Sequence, residues 1–297
     1  MIKSKSDTRF QVLANAVLII FAVFIILPFL LLFISSFTEE NSLIRNGYSF
    51  IPEAWSLEAY KYIFRNSEKI IRAYGITILV TLIGTFAHVT LAMLVAYPLS
   101  LEELPGRRAI TFFLFFTLLF NGGLVPTYLL YTNFFHVKNT IWALIVPNFL
   151  LNAMNILLIR SYITSNVPKE MLEAAKVDGA SELLVFLKII IPLSKPILVT
   201  VGTFAGLNYW NDWTNGLYYI TKTEHYGIQN LLNKMLTDIR ELASSQYAAQ
   251  AGAEIAKLPT VGVRMAIAVV AILPILIVFP FLEKYFEKGI TLGAVKG

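Results

Sequence analysis

Apolar residues are concentrated in six long runs along this chain, and shorter polar stretches separate them. The runs cover approximately residues 12–37, 74–99, 110–131, 140–163, 197–217 and 261–286. An α-helix rises 1.5 Å per residue, so about 20 apolar residues can cross the roughly 30 Å hydrocarbon core of a bilayer. The pattern therefore predicts an all-α, polytopic membrane protein with six transmembrane helices, organised as a single domain over residues 1–297.

Composition supports a membrane location. Hydrophobic residues make up 57% of the chain and charged residues 14%, with a mean hydropathy of +0.66, whereas about a quarter of a soluble domain is charged. The net charge of +5 comes from Lys and Arg residues beside the apolar runs, as membrane topology requires, so we expect no nucleic-acid partner. The chain has no cysteine, which excludes disulfides and thiolate metal sites.

The basic residues also predict an orientation. Lys3, Lys5 and Arg9 precede the first run, which is too long for a signal peptide and is better interpreted as a retained span. Six spans place both termini on one side of the membrane, together with the turn at 102–108 and the polar loop at 165–193. Because Lys and Arg are enriched on that side, we expect cytoplasmic termini, with extracytoplasmic loops at 38–73 and 218–260.

The loop at 165–193, here called the insert, contains signals for two short helices. Pro168 suits a helix start, Gly179 suits a left-handed helix end, and Pro192 suits the end of a second helix before the fifth span. Ala174 and Ala175 leave a flat surface for a partner. The insert therefore favours docking, although an amphipathic connector on the membrane surface is the open alternative.

A motif in the insert resembles a known family. Glu173, Ala174 and Ala175, followed by Gly179 and then by Pro192, resemble the EAA loop of permease subunits from type I ABC importers. The stretch 120–128 (FNGGLVPTY) and the C-terminal GITLGAVKG resemble carbohydrate permeases of the maltose, MalG-like group. The first of these stretches is similar to the branch assigned to aldouronate, rhamnogalacturonan and complex oligosaccharides.

The resemblance implies partners and roles. It implies a cytoplasmic coupling helix between spans 4 and 5, a second homologous permease, two ATPase subunits, an extracytoplasmic solute-binding protein and an oligosaccharide substrate, all at the bacterial cytoplasmic membrane. The residues that would couple the chain to the ATPase are Glu173, Ala174, Ala175, Asp178, Gly179 and Pro192. No GxxxxGK[ST] sequence occurs in the chain. We therefore expect no enzyme activity and no cofactor here, with ATP and Mg bound by the partner ATPase.

Polar residues inside the apolar runs are candidates for lining a sugar passage. Asn148, Asn152 and Asn155 have a spacing that places them on one face of a helix. Such groups face a bundle interior or an aqueous cavity, although helix packing and interfacial anchoring are open alternatives. His88 and Arg264 are interpreted as packing or interface residues. The other candidates for the cavity lining are Asn121, Tyr128, Asn208, Tyr209, Asn211 and Asp212.

The last extracytoplasmic loop combines two patterns. Apolar residues from Ile228 to Leu242 recur at helical spacing and predict an amphipathic helix, which could lie flat on the bilayer. The segment after it is rich in Ala, Ser, Gly and Gln. By the family resemblance, this segment contacts the solute-binding protein through Ser244, Ser245, Gln246 and Gly252.

Three other functions remain as alternatives at this level. One is an ABC permease for a non-sugar solute. The others are an ion-coupled carrier and a polytopic membrane enzyme, both of which need buried ionisable residues. Asp212 is the one plausible buried acid within the spans, and no internal repeat is evident.

Overall fold

The computed structural model describes residues 5–65, 67–244 and 260–294, and over these residues the chain is almost entirely helical. An isolated antiparallel bridge between Thr38 and Trp55 is the only β pairing in these ranges. The prediction of an all-α protein is confirmed at this level. The α-helices are α1 (Lys5–Ser36), α2 (Glu40–Asn46), α3 (Glu58–Phe64), α4 (Ser67–Ser100), α5 (Arg107–Leu119), α6 (Leu124–Leu129), α7 (Trp142–Ile145), α8 (Ala153–Asn166), α9 (Lys169–Val177), α10 (Glu182–Val185), α11 (Ile191–Leu193), α12 (Lys195–Asn211), α13 (Thr214–Tyr219), α14 (Ile228–Ser244) and α15 (Thr260–Ala294).

Short π-helical and 3₁₀ turns complete the helical structure. A π-helical turn at Leu130–Phe134 extends α6, and another at Phe186–Ile190 joins α10 to α11. A 3₁₀ turn lies at Thr223–His225. The joined helix Glu182–Leu193 ends directly after Pro192, in agreement with the predicted role of this proline.

Three helices within the described ranges are long and apolar enough to cross a membrane unbroken. They are Phe10–Ser36, Ser67–Ser100 and Thr260–Val278. Two further candidates are bent pairs, Arg107–Leu119 with Leu124–Phe134 at 114° and Glu182–Leu193 with Lys195–Asn211 at 77°. By length and composition there are three such helices, or up to five if each bent pair forms one span.

The third and fourth apolar runs are not continuous helices. The third run is interrupted at residues 120–123, where Gly123 has a φ of 85°. The prediction of one helix over 140–163 is wrong, because α7 ends at Ile145 and helix resumes at Ala153. Asn148 lies in this interruption with a φ of 67°, a left-handed conformation that an α-helix cannot contain.

The described residues separate into two compact units, one of residues up to 67 with 234–274 and the other of residues 68–233 with 275 onward. In the first unit, Glu40 caps the start of α15. Its carboxylate accepts hydrogen bonds from the backbone N–H of Val261 at 2.8 Å and of Gly262 at 2.9 Å. A carboxylate here satisfies N–H groups that have no intrahelical partner and suits the positive end of the helix dipole.

The second unit contains a close contact between α4 and α12. Gly202 and Gly206 are four residues apart on one face of α12, and both lie against Thr85 of α4. Two glycines at this spacing let two helix backbones approach closely, as is common in membrane helices. Nearby, a Cβ on Gly84 would come within 2.5 Å of the Tyr209 ring, so this position accepts glycine alone without a shift of the ring.

Candidate functional site

The insert forms two short helices joined by a tight elbow. Pro168 is extended and directly precedes α9, and Gly179 follows α9 with a φ of 75°. The hydroxyl of Ser181 then caps α10 by accepting a hydrogen bond from Leu184 N at 3.3 Å. Glycine adopts this positive φ without a steric penalty, which explains why the chain turns at this residue.

Helix α9 has one anchored face and one exposed face. Leu172 and Ala175 pack against a buried core that includes Ile163, Val167 and Val185. The opposite face carries four exposed residues, Glu173, Ala174, Val177 and Asp178, and the Val177 side chain is 88% exposed. An exposed valine beside carboxylates is a surface suited to a partner protein and contains no reactive group.

Ion pairs fix α9 to the turn that follows α4. The Lys169 ammonium contacts the Glu102 carboxylate at 2.7 Å, and the Lys176 ammonium contacts Glu103 at 3.3 Å. The hydrogen bond from Lys169 lowers the pKa of Glu102, and the same contact raises the pKa of Lys169. Both pairs are exposed, so each adds little to stability, but together they define where α9 lies relative to the turn.

A second polar contact joins α10 to α4. The Tyr97 hydroxyl donates to the Glu182 carboxylate at 2.7 Å, and the Tyr97 ring lies 5.4 Å from the ring of Phe186. Sequence reasoning did not identify Glu102, Glu103 or Glu182, because their partners are 67 to 85 residues away in the chain. No local pattern signals such pairings.

The three asparagines of the fourth run do not share a helical face, so that prediction is wrong. Asn148 lies outside any helix, in the left-handed conformation described above. Asn152 precedes α8 as its N-cap, and its side-chain oxygen accepts a hydrogen bond from Asn155 N at 3.1 Å. Asparagine is a favoured N-cap residue for this reason. Asn155 is buried inside the second unit.

The last residue of α7 and the interruption after it, residues 145–152, are here called the broken segment, and their backbone carbonyls lack the partners that a continuous helix would provide. Three side chains from elsewhere donate hydrogen bonds to them. The Tyr209 hydroxyl bonds to Ile145 O at 2.9 Å, Asn215 Nδ2 to Pro147 O at 3.0 Å, and His88 Nδ1 to Phe149 O at 2.7 Å. A buried carbonyl without such a partner costs about 1–3 kcal/mol.

Both ring nitrogens of His88 are hydrogen-bonded. A carbonyl can only accept, so Nδ1 of His88 carries a proton towards Phe149 O. The other ring nitrogen, Nε2, then accepts from Asn155 Nδ2 at 2.9 Å. His88 is therefore a buried residue with both ring nitrogens hydrogen-bonded, in agreement with its interpretation as a packing or interface residue.

The polar cluster at the end of α12 also pairs with backbone. Asp212 ends the helix, and its carboxylate accepts from the N–H groups of Thr214 at 3.0 Å and Asn215 at 3.1 Å. Asn211 is exposed and donates to Leu207 O of its own helix at 2.9 Å. Asn208 is exposed, whereas Tyr209 is buried at 2% exposure.

Sequence reasoning missed Asn215, which is fully buried at 1% exposure. Its signal was a further polar residue four positions after Asn211 at the end of an apolar run.

Asn121 and Tyr128 lie near the break in the third run. The side chain of Asn121 accepts from Gly123 N at 2.8 Å, and the Tyr128 ring stacks on Tyr219 at 5.6 Å.

The amphipathic helix predicted in the last loop is present as α14, with Ile228, Leu232 and Ile239 buried. Ser244 is its last residue. The other candidates for contact with a solute-binding protein, Ser245, Gln246 and Gly252, lie outside the described residues.

Known proteins resemble the chain over nearly its whole length. A family model described as "Binding-protein-dependent transport system inner membrane component" matches residues 104–292. The polygalacturonan/rhamnogalacturonan transport system permease protein YtcP of Bacillus subtilis (strain 168) is 34% identical over 97% of this chain and 98% of its own length. Protein LplC of the same organism is 36% identical over 92% of this chain and 90% of its own length.

A solved structure is similar as well. One chain in the crystal structure of a bacterial ABC transporter involved in the import of the acidic polysaccharide alginate superposes with a TM-score of 0.79. It is 28% identical in sequence, and the match covers 96% of this chain and 99% of that one. The similarity thus includes the insert, the broken segment and the helices around them.

Proposed function

The chain belongs to the family of binding-protein-dependent transport system inner membrane components, and from that premise we propose that it moves an oligosaccharide through the bacterial cytoplasmic membrane. It is a permease subunit of an ABC importer, as the resemblance of the insert implied. Membership of a transport family also confirms the prediction of a transport subunit over a membrane enzyme. A stand-alone ion-coupled carrier is disfavoured on the same ground.

The substrate class is inferred from the relatives. YtcP is named for polygalacturonan and rhamnogalacturonan, and the similar solved structure takes part in alginate import. A more distant relative from Halalkalibacterium halodurans, 27% identical, is named for arabinooligosaccharides. These names favour an oligosaccharide over a non-sugar solute as the cargo of this chain.

The architecture we propose has six spans in a single domain, with both termini and the insert in the cytoplasm and the loops at 38–73 and 218–260 outside. The bent pair of α5 and α6 forms the third span, α8 forms most of the fourth, and α12 forms the fifth. Helix α8 has 14 residues, about 21 Å, so the broken segment completes the crossing. Irregular backbone is tolerated at this depth where protein groups satisfy it.

The exposed face of α9 carries the proposal that the insert docks an ATPase. Leu172 and Ala175 tie the helix to the core while Glu173, Ala174 and Asp178 stay free for contact. Gly179 and Pro192 set the elbow and the end of the second helix. We infer two ATPase subunits, which hold ATP and Mg, a second homologous permease and an extracytoplasmic binding protein as partners.

The ion pairs suggest how movement passes from α9 to the spans. Lys169 and Lys176 connect α9 to Glu102 and Glu103 in the turn directly after α4. When the ATPases close, displacement of α9 would carry the end of α4 with it. Coupling then requires that the ATP-bound state favour the outward-open permease, because a ligand shifts an equilibrium only through differential affinity.

The polar candidates form two groups: residues that would line the sugar passage and residues that support the broken segment. The exposed amides of Asn121, Asn148, Asn208 and Asn211, together with Asn152 and Tyr128, are our candidates for contact with sugar hydroxyls. Tyr209 supports the broken segment directly through Ile145 O, Asn155 supports it through His88, and Asp212 caps the turn that carries Asn215. Ser244, Ser245, Gln246 and Gly252 remain the proposed contact with the binding protein.

Co-purification tests the docking proposal. The wild-type chain is extracted with the proteins of its native membrane and compared with Glu173→Lys and Gly179→Asp. We expect an ATPase and a second permease with the wild type, and loss of the ATPase with either substitution. Glu53→Lys makes the same charge change at an exposed residue of the 38–73 loop and should retain the ATPase. Recovery of the wild type without an ATPase would contradict the proposal.

A further inference from the structure

An open cleft of about 870 Å³ lies where α5 begins, beside the turn after α4. Its polar wall contains three arginines, Arg107, Arg108 and Arg160, and its apolar wall contains Phe112 and Phe115. Neither the transport function nor the docking surface of α9 accounts for this combination. The cleft lies entirely within the second unit.

The arginines form an excess of positive charge. The Nε groups of Arg107 and Arg160 both donate to the same carbonyl, Leu99 O, at 3.0 Å each. Arg108 is exposed and makes no ion pair with any residue that the structure describes. The carboxylate at the edge of the cleft, Glu102, is already paired with Lys169 at 2.7 Å. The remaining guanidinium donors are therefore available for an anion.

Two further donors lie in the same place. The hydroxyl of Thr111, which lines the cleft, is buried and has no hydrogen-bond partner within the described ranges. Helix α5 begins after Gly106 without a side-chain cap, so its positive end also favours an anion near Arg107 and Arg108. The cleft thus offers several donors and no free carboxylate.

The phenylalanines of the cleft indicate which kind of anionic molecule it binds. Phe112 is 62% exposed and Phe115 is 50% exposed, and both lie on an apolar helix that continues away from the arginines. A soluble phosphate would leave these rings uncovered. An amphiphile would place its charged head against the arginines and its chain along the phenylalanines, which matches the order of charged and apolar surface along α5.

We propose that this cleft binds the phosphate of one anionic phospholipid of the cytoplasmic leaflet, with an acyl chain along Phe112 and Phe115. Basic pockets beside membrane helices on this side are suited to such headgroups. The inference rests on the membrane orientation given under the proposed function, and it is independent of the substrate and of the ATPase.

Native mass spectrometry of the delipidated chain, titrated with phosphatidylglycerol, tests the inference. We expect one saturable lipid that phosphatidylcholine does not replace. Arg108→Gln should weaken binding about fivefold, which corresponds to ~1 kcal/mol for one arginine near an anionic lipid. Arg108→Lys keeps the charge and should retain most of the binding. Lys195→Gln removes the same charge at an exposed residue outside the cleft and should leave the affinity unchanged.

Four results would overturn the inference. Equal binding of phosphatidylglycerol and phosphatidylcholine, or no effect of Arg108→Gln, would remove the role of the arginines. Competition by glycerol phosphate at the same concentration as the lipid would identify a site for a soluble phosphate. Loss of the lipid when the ATPase binds to the complex would show that the arginines form a protein interface. None of these outcomes depends on transport, so failure here is distinct from failure of the proposed function.

Discussion

The insert and the broken segment both interrupt the long helices of this chain, yet polar residues act in opposite ways in the two regions. In the insert, Glu173 and Asp178 are exposed while apolar residues anchor the helix. Around the broken segment, the buried side chains of Tyr209, Asn215 and His88 donate hydrogen bonds to its backbone carbonyls. The difference teaches that burial, and not residue type, separates a polar surface that is open to a partner from a polar group that supports the backbone.

The physical reason lies in the environment of each region. A backbone carbonyl removed from water and from its helix needs a donor, and an apolar surrounding offers none except polar side chains. In the insert, Glu173 and Asp178 are exposed to water, so their carboxylates need no donor from the protein. Substitutions in the two regions should consequently differ in what they damage.

The largest expected loss of stability follows Asn215→Ala. This substitution removes the donor to Pro147 O in a fully buried place, so we expect a loss of about 2 kcal/mol. The measurement is the apparent melting temperature in detergent. Asn211→Ala is the matched control, because Asn211 is exposed and bonds only to its own helix, and it should melt close to the wild type. Equal melting of both variants would show that the broken segment needs no such support.

A smaller loss is expected for Tyr209→Phe. The ring stays packed beside Gly84 and only the hydroxyl bonded to Ile145 O disappears, which should cost about 1 kcal/mol. Tyr218→Phe removes a hydroxyl from an exposed tyrosine and serves as the control in the same melting experiment. If Tyr218→Phe lowered the melting temperature as much as Tyr209→Phe, the bond to Ile145 O would not be the cause.

The smallest expected effect is a pH dependence of the contact between Lys169 and Glu102. The pKa of Glu102 is lowered in the folded protein, so its contribution is present above the unfolded pKa and disappears as the pH falls through the folded value. The pKa of Lys169 is raised, so its contribution is lost as the pH rises through the folded value. The melting difference between wild type and Lys169→Gln should therefore shrink at acidic and strongly alkaline pH. A difference that stays constant from acidic to alkaline pH would contradict this assignment, and Lys195→Gln should show none.

The sequence predicted much of the insert because local signals determine it. Proline before α9 and glycine at the elbow act within a few residues, and the structure has the two helices at those places. Ala175, predicted with Ala174 on the surface for a partner, instead packs against the core, which no local signal indicates. The amphipathic helix α14 was predictable for the same reason. The pattern also predicted an all-α protein, because apolar runs of this length favour helices.

The helical spacing of polar residues in the sequence could not predict the broken segment. Asn148, Asn152 and Asn155 have helical spacing, but Pro147 and the left-handed Asn148 interrupt the helix between them. The donors that make this break tolerable come from residues more than 60 positions away in the chain. Tertiary contacts of this kind override a local period, and the sequence has no separate signal for them.

The most direct test of the central claim uses the absence of cysteine in the natural chain. Ala174→Cys introduces one thiol on the exposed face of α9, and its labelling by a polar maleimide is measured with and without the ATPase subunits. Lys195→Cys, at an exposed residue beyond the insert, reports general accessibility. The account predicts rapid labelling of Ala174→Cys in the isolated chain and strong protection once the ATPases bind. Equal labelling in both states would contradict the assignment of α9 as the docking surface.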